Sequence, residues 1–192
     1  MAVSYGTARE AVMARLSASA FGHCERVAET SALIADRYGL DVEAARLAGL
    51  LHDWHREADR AWLLDRARET AVPVSGVDEA VPYLLHGPVA ACDLADEFPG
   101  IAPEVLDAIA AHTFGSVDMA PLARAVYIAD VVEPERRHPE AAILRDLIGL
   151  VTLDELFSRA YVASLQRLVA AHRPIHPVTL DVYNRRVAGV GR

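Results

Sequence analysis

An all-α fold, one helical bundle, is what this sequence predicts. Apolar residues recur at spacings of three and four along almost the whole chain, and no stretch sustains the two-residue alternation of a half-buried strand. Helix-boundary residues fall between the periodic segments. The pattern predicts helices near 5–19, 23–38, 41–55, 58–70, 87–98, 102–113, 120–132, 140–149, 152–172 and 177–188. In the second of these, His23, Val27, Thr30 and Ile34 share one face, and Gly39 suits its close. Asp41 can cap the third, with Ala44 and Ala45 as strong helix formers behind it. Pro88, Pro103 and Pro121 each fit a first helical turn, where a missing N–H costs nothing. Thr152-Leu153-Asp154-Glu155 reads as a capping box opening the long C-terminal helix. Residues 72–85, with Pro73, Gly76 and Pro82, read as a loop over one face. No repeat, low-complexity tract or linker divides the chain, so one domain over residues 1–192 is expected.

At 192 residues with 53% hydrophobic content, the chain can bury a sizeable core. Its net charge of −8 argues against wrapping a nucleic-acid backbone, which wants a basic face. A small anionic substrate stays open, because arginines and metal can invert the field within one pocket. All 19 basic residues are arginine. Cys24 and Cys92 form neither a disulfide framework nor a C-x-x-C pair, and both read as reduced small hydrophobes. The N-terminal segment is interrupted by Arg9, Glu10 and Arg15, unlike a signal peptide, and no apolar run is long enough to span a membrane. A soluble, cytoplasmic protein is the expectation.

His52-Asp53 closes the apolar run Leu47-Ala48-Gly49-Leu50-Leu51. A carboxylate buried there needs a cationic partner. Adjacent side chains on a helix diverge by about 100°, so both reach one centre only near the helix end. His23, His86, His112 and Asp130 stand in comparable settings: His112 follows Val105 and Ile109 on one face, and Asp130 lies within the apolar segment 125–132. Taken singly, His23 or His112 is equally a satisfied core histidine, His86 a loop histidine, and Asp130 an ion-pair partner of Arg124 or Arg136. Together, four histidines and two aspartates on five helical segments offer more donors than one zinc needs and suit two first-row transition metals. His55, His138, His172 and His176 lack such settings and read as surface or loop residues, with His55 the nearest to the site. Chain-wide absences narrow the chemistry: G-x-S-x-G, G-x-x-x-x-G-K-[ST] and G-x-G-x-x-G do not occur.

The order His23, His52-Asp53, His86, His112-Thr113, then Asp130 leading into Glu133-Pro134-Glu135-Arg136, resembles the HD-domain metal-dependent phosphohydrolases of the YqeK family. The similarity covers about residues 20–185. The resemblance implies an all-helical HD fold and symmetrical cleavage of diadenosine tetraphosphate to two ADP by a metal-activated hydroxide. It implies two metal ions, iron first, with manganese or another first-row metal as alternatives. His23, His52, Asp53 and Asp130 would hold one ion, and His86 and His112 the other, with Asp53 bridging. Asp53 and Arg56 would be catalytic, with Arg56, Thr113 and Arg136 contacting substrate and Arg137 beside them; a solvated turn is the alternative for Arg136-Arg137. Partners would be a dinucleoside polyphosphate or nucleotide, with neither nucleic acid nor membrane, and a homodimer is left open. Arg56 stands where the family often has lysine, Phe114 where a small polar residue is common, and Val131 where tyrosine is frequent; these bear on substrate preference. Three alternatives stay open: an HD phosphohydrolase acting on another nucleotide, an HD module that binds metal and nucleotide without turnover, and a purely structural helical protein whose histidines are core residues.

Overall fold

Side-chain caps start most of the helices, and they correct several boundaries. The computed structural model describes residues 3–190, and no strand occurs among them. Ser4 accepts from Thr7 N–H to open α1 (Tyr5–Arg15). The chain breaks at Leu16, and Ser17 caps α2 (Ala18–Tyr38) by accepting from Ala20 N–H. The helix expected to reach residue 19 therefore ends four residues early, because Ser17 competes for the backbone there. Its own N–H and hydroxyl donate to Glu57 at 2.8 and 2.6 Å. Gly39, at φ 66°, closes α2 in the left-handed region, as its position suggested. Asp41 caps α3 (Val42–Leu51), and Asp59 caps α4 (Arg60–Glu69).

The expected loop over 72–85 is half-structured. Ser75 and Asp78 form a reciprocal capping box that opens α5 (Gly76–Ala80), followed by a 3-10 turn over Pro82–Leu85. The Ser-x-x-Asp signal was present but stood among three breakers. Next come α6 (His86–Glu97), α7 (Pro103–Ala111) and α8 (Pro121–Val132). After them run α9 (Pro139–Asp146), α10 (Leu153–Ala170) and α11 (Pro177–Val190). Only half of the box expected at Thr152 forms: Thr152 accepts from Glu155 N–H, while the Glu155 carboxylate pairs with Arg159 at 2.7 Å.

α2, α3, α7 and α8 pack against one another, and α10 covers α8. One cluster runs through them, with Val27, Ile34, Leu50, Leu51, Ile109, Ile128 and Phe157 all essentially removed from solvent. Each such side chain contributes roughly 1.5–3 kcal/mol by leaving water. No helix among the described residues is long and apolar enough to cross a membrane.

His176, expected at the surface, is buried and stacks on Phe114 with ring centroids 4.0 Å apart. Its Nδ1 accepts from Val178 N–H, so Nε2 donates to the buried Asp78 carboxylate at 3.2 Å. That bond ties the 75–85 segment to the start of α11. Asp78→Ala removes it together with the bonds that Ser75 N–H and Oγ donate to the carboxylate, and leaves a buried donor unmatched, so a loss of about 1–3 kcal/mol is expected in urea unfolding. His176→Phe keeps the stack and should lose less.

Candidate metal centre

Asp53 organises the site. α3 ends at Leu51; His52 is its C-cap, and turns follow. The pair therefore sits at the helix end, both residues buried. The two oxygens of Asp53 face two different pairs of histidines. Oδ1 lies 3.1 Å from His86 Nε2 and 3.7 Å from His112 Nε2. Oδ2 lies 3.2 Å from His52 Nε2 and 3.5 Å from His23 Nε2. Asp130 Oδ1, on the more open side, is 3.0 Å from His23 Nε2.

Five elements deliver these groups. His23 projects from α2, His86 opens α6, His112 caps the end of α7, and Asp130 belongs to the last turn of α8. Gly87 makes room for the convergence: a Cβ there would meet Thr113 Oγ1 at 2.7 Å and the His112 ring at 2.9 Å. All six sequence-identified side chains thus meet in one place. Donor atoms of His23, His52 and Asp130 fall within 4.8 Å of one another, and so do those of Asp53, His86 and His112.

The orientation of the imidazoles is more telling than their proximity. His52, His86 and His112 each donate Nδ1–H to a backbone carbonyl, of Gly49, Tyr83 and Ile109, at 2.7, 2.6 and 2.7 Å. His23 Nδ1 faces Glu133 Oε1 at 3.3 Å. With Nδ1 carrying the proton, every Nε2 presents a lone pair inward. His86 Nε2 and His112 Nε2 stand 2.9 Å apart, and two lone pairs at that distance repel unless a proton or a cation lies between them. His23 Nε2 and His52 Nε2 are buried with no hydrogen-bond partner among the described residues. Those orphaned nitrogens and the shared carboxylate fit a metal-binding donor set.

The electrostatics agree. Burial opposes ionisation of Asp53, but the imidazoles packed around it, His52 first, hold its carboxyl well below the usual range. Burial also opposes charge on His52, yet the Asp53 carboxylate outweighs it and raises the pKa of that imidazole. Burial lowers the His112 pKa. Asp130 stays ionised against its burial, through His23, His52 and Arg136.

Arg56 donates to Asp53 Oδ2, and Arg136 donates to Asp130 Oδ1 at 2.5 Å and to its carbonyl at 2.8 Å. Asp130 therefore takes both expected partners, the histidine cluster and an arginine, whereas Arg124 pairs with Asp154. Thr113 Oγ1 is buried without a partner among the described residues, and Arg137 is exposed. Cys24 lies within donor distance of His52 and Asp53, and burial pushes its thiol far above the ordinary value. It enters as a small apolar side chain.

Two partners of the site, and one buried histidine outside it, escaped the sequence reading. Glu133 is almost fully buried, accepting from Arg26 at 2.8 Å and from Glu135 N–H at 2.8 Å while its other oxygen faces His23. Tyr83 packs on the His86 ring at 4.6 Å, and burial with the nearby Asp53 charge raises its phenol to about 12. His55, expected near the surface, is buried: its Nε2 donates to Asp93 at 2.8 Å, and burial pushes its pKa down to about 4. Only the Glu-Pro step after α8 carried any sequence signal for the first, and nothing in periodicity marked the other two.

A helical bundle whose His-Asp pair bridges two histidine pairs is the architecture of an HD-type hydrolase, and residues 20–135 match the HD domain family. Over 174 residues the chain is 32% identical to the symmetrical bis(5'-nucleosyl)-tetraphosphatase of Staphylococcus aureus, covering 88% of each chain. The protein of the same name from Bacillus subtilis is 28% identical over 179 residues, 93% of this chain and 95% of that one. A crystal structure from Clostridium acetobutylicum, described as a predicted HD superfamily hydrolase involved in NAD metabolism, superposes with a TM-score of 0.88 at 26% identity, covering 98% and 99% of the two chains. The chain belongs to the HD domain family and, within it, to the symmetrical bis(5'-nucleosyl)-tetraphosphatases that its ordered motif resembled.

Proposed function

We propose that this protein hydrolyses diadenosine tetraphosphate at its central anhydride, giving two ADP, with two transition-metal ions held by His23, His52, Asp53, His86, His112 and Asp130. The observation that carries this is the paired lone-pair nitrogens of His86 and His112, 2.9 Å apart beside one oxygen of Asp53, with His23 and His52 at the other oxygen. The names of the relatives supply the substrate. His23, His52, Asp53 and Asp130 would hold one ion, and His86 and His112, with Asp53, the second. A nitrogen and carboxylate donor set suits iron, with manganese next. We also take residues 1–192 as one HD domain with its core at 20–185, acting in the cytoplasm on a small molecule.

Bound cations supply Lewis acidity to the phosphoryl oxygens and make a water acidic enough to attack at neutral pH. The chain's own part is positional. Asp53, kept ionised, holds the two histidine pairs in register, and the Nδ1 bonds fix every imidazole in the tautomer that offers Nε2. Arg56 and Arg136 each present further N–H groups beside the centre, suited to phosphate oxygens. Thr113 offers an uncommitted hydroxyl. The water oxygen forms the new P–O bond, and the bridging oxygen leaves with the other ADP.

Incubating protein of known metal content with diadenosine tetraphosphate tests this: two ADP should appear, without ATP or AMP. Preferential release from a mononucleotide panel would instead point to another HD phosphohydrolase, and bound nucleotide without turnover to a regulatory module. Glu133→Gln, which weakens the charge behind His23 Nδ1, should lower metal affinity by about 10- to 100-fold, read by competition with a chelator.

A further inference from the structure

The cavity beside the metal centre has a second wall made of arginine. It measures ≈ 730 Å³ and runs from His112 and Asp130, past Arg136, to His138, Arg167 and Arg173. Arg136 is tied to Asp130 at the near end. Arg167, half-buried on α10, is held by neutral groups instead: Nη1 lies against the His138 ring, 3.0 and 2.8 Å from its two nitrogens, and Nη2 donates to Ser164 Oγ at 3.1 Å. His138 is itself fixed as a neutral ring, since Nδ1 accepts from Ala141 N–H and Nε2 donates to the Val131 carbonyl, with the Glu140 carboxylate 3.4 Å from Nδ1. No carboxylate pairs with Arg167 among the described residues. Burial lowers its pKa, with Arg136 acting in the same direction and Tyr127, Glu140 and Asp130 opposing it. Arg173 stands exposed at the rim. In a chain of net charge −8, this is a local inversion of sign facing open space.

We infer that this wall is an anion subsite for the outer phosphate of one nucleoside diphosphate half of the substrate, with Arg167 its specificity-determining residue and Arg173 its rim. The inference rests on the hydrolase proposed above. A substrate cut at its centre carries charge on both sides of the reacting phosphorus. The cations take the centre, so one flank must meet separate positive groups, and a guanidinium matches phosphate oxygens in two-point fashion. The volume lies within the usual range for small-ligand pockets of roughly 300–1,000 Å³. Held against His138 and Ser164, Arg167 has little freedom left to lose on binding, so the wall is ready before the ligand arrives.

Metal-loaded wild type and Arg167→Gln, matched in metal content and circular dichroism, test this by two readouts. One is the Kd for ADP from equilibrium dialysis, with adenosine and inorganic phosphate as separate arms; the other is steady-state cleavage of diadenosine tetraphosphate. ADP binding should weaken about tenfold or more and KM should rise in step, with kcat held within about threefold and adenosine unaffected. Arg167→Lys should recover part of the loss. If the variant lowers affinity for inorganic phosphate alone and leaves KM unchanged, the wall binds free anions and is no substrate subsite. If wild type cleaves the substrate while ADP affinity and KM ignore Arg167, the subsite is overturned and the hydrolase stands. If ADP binding depends on Arg167 and no cleavage occurs, the hydrolase is overturned and the anion subsite stands. Arg173→Gln, at an exposed position, gives the same readouts should Arg167→Gln fail to fold.

Discussion

Asp53→Ala should abolish turnover, by roughly a thousandfold or more, and strip bound metal from the protein. The reason is its place between two histidine pairs: each oxygen faces one pair, so one deletion removes a donor from both ligand groups. The four imidazoles would remain, held by their Nδ1 bonds, with Asp130, beside His23, the one ligand carboxylate left and none between the two pairs. Asp53→Asn separates two effects. It keeps volume and one acceptor oxygen but loses the charge that attracts the cations, so metal content should fall less than in the alanine variant while activity falls almost as far. Metal analysis by mass spectrometry and ADP release measure the two. His172→Ala, at an exposed turn residue outside the six ligands, should change neither. Full activity in the Asp53→Ala protein would mean that hydrolysis occurs elsewhere or by another chemistry.

The ligand set was legible because helical metal sites leave a contradiction in the sequence: strong donors at positions whose spacing otherwise demands apolar residues. His23 with Val27 and Ile34, and His112 with Val105 and Ile109, are of this kind, and all are buried as the periodicity requires. His52-Asp53 was the most informative feature, and Asp130 was harder to dismiss than His23 or His112, lying among Ala125, Val126, Ile128, Ala129 and Val131. What could not be read is whatever depends on approach between helices distant in sequence. Glu133 and His23 stand 110 positions apart, and His176 meets Asp78 across 98. His55 and His176 looked like surface residues because their partners, Asp93 and Asp78, come from elsewhere in the chain and leave no local pattern. The α1–α2 break at Ser17 and the small helix at Gly76 were lost to a subtler cause. In each, a short capping signal competed with a stronger neighbouring preference, helix-forming alanines in one case and prolines in the other.

Gly49 joins fold and site, and Gly49→Ala should damage both. In an exposed helix interior, glycine to alanine stabilises by up to about 1 kcal/mol, so propensity alone predicts a gain. The packing predicts the reverse. A Cβ at Gly49 would stand 2.7 Å from Ser31 Oγ and 2.9 Å from both the Ala28 Cα and the Val27 carbonyl. Ser31 could rotate, but the other two atoms are backbone, so α2 and α3 must move apart. Overpacking of this kind typically costs about 1–3 kcal/mol, more than the propensity gain. The movement also reaches the metal centre, since His23 rides on α2 and His52 is anchored through Nδ1 to the Gly49 carbonyl itself. The variant should therefore unfold at lower urea, with metal lost first from the His23, His52 and Asp130 group; Asp53, His86 and His112 should retain theirs longer. Adding Ser31→Ala relieves only the first of the three contacts and should not restore stability. A Gly49→Ala protein more stable than wild type, with full metal content, would show that the two helices have slack at this crossing and that close backbone approach does not set the distance between His23 and His52.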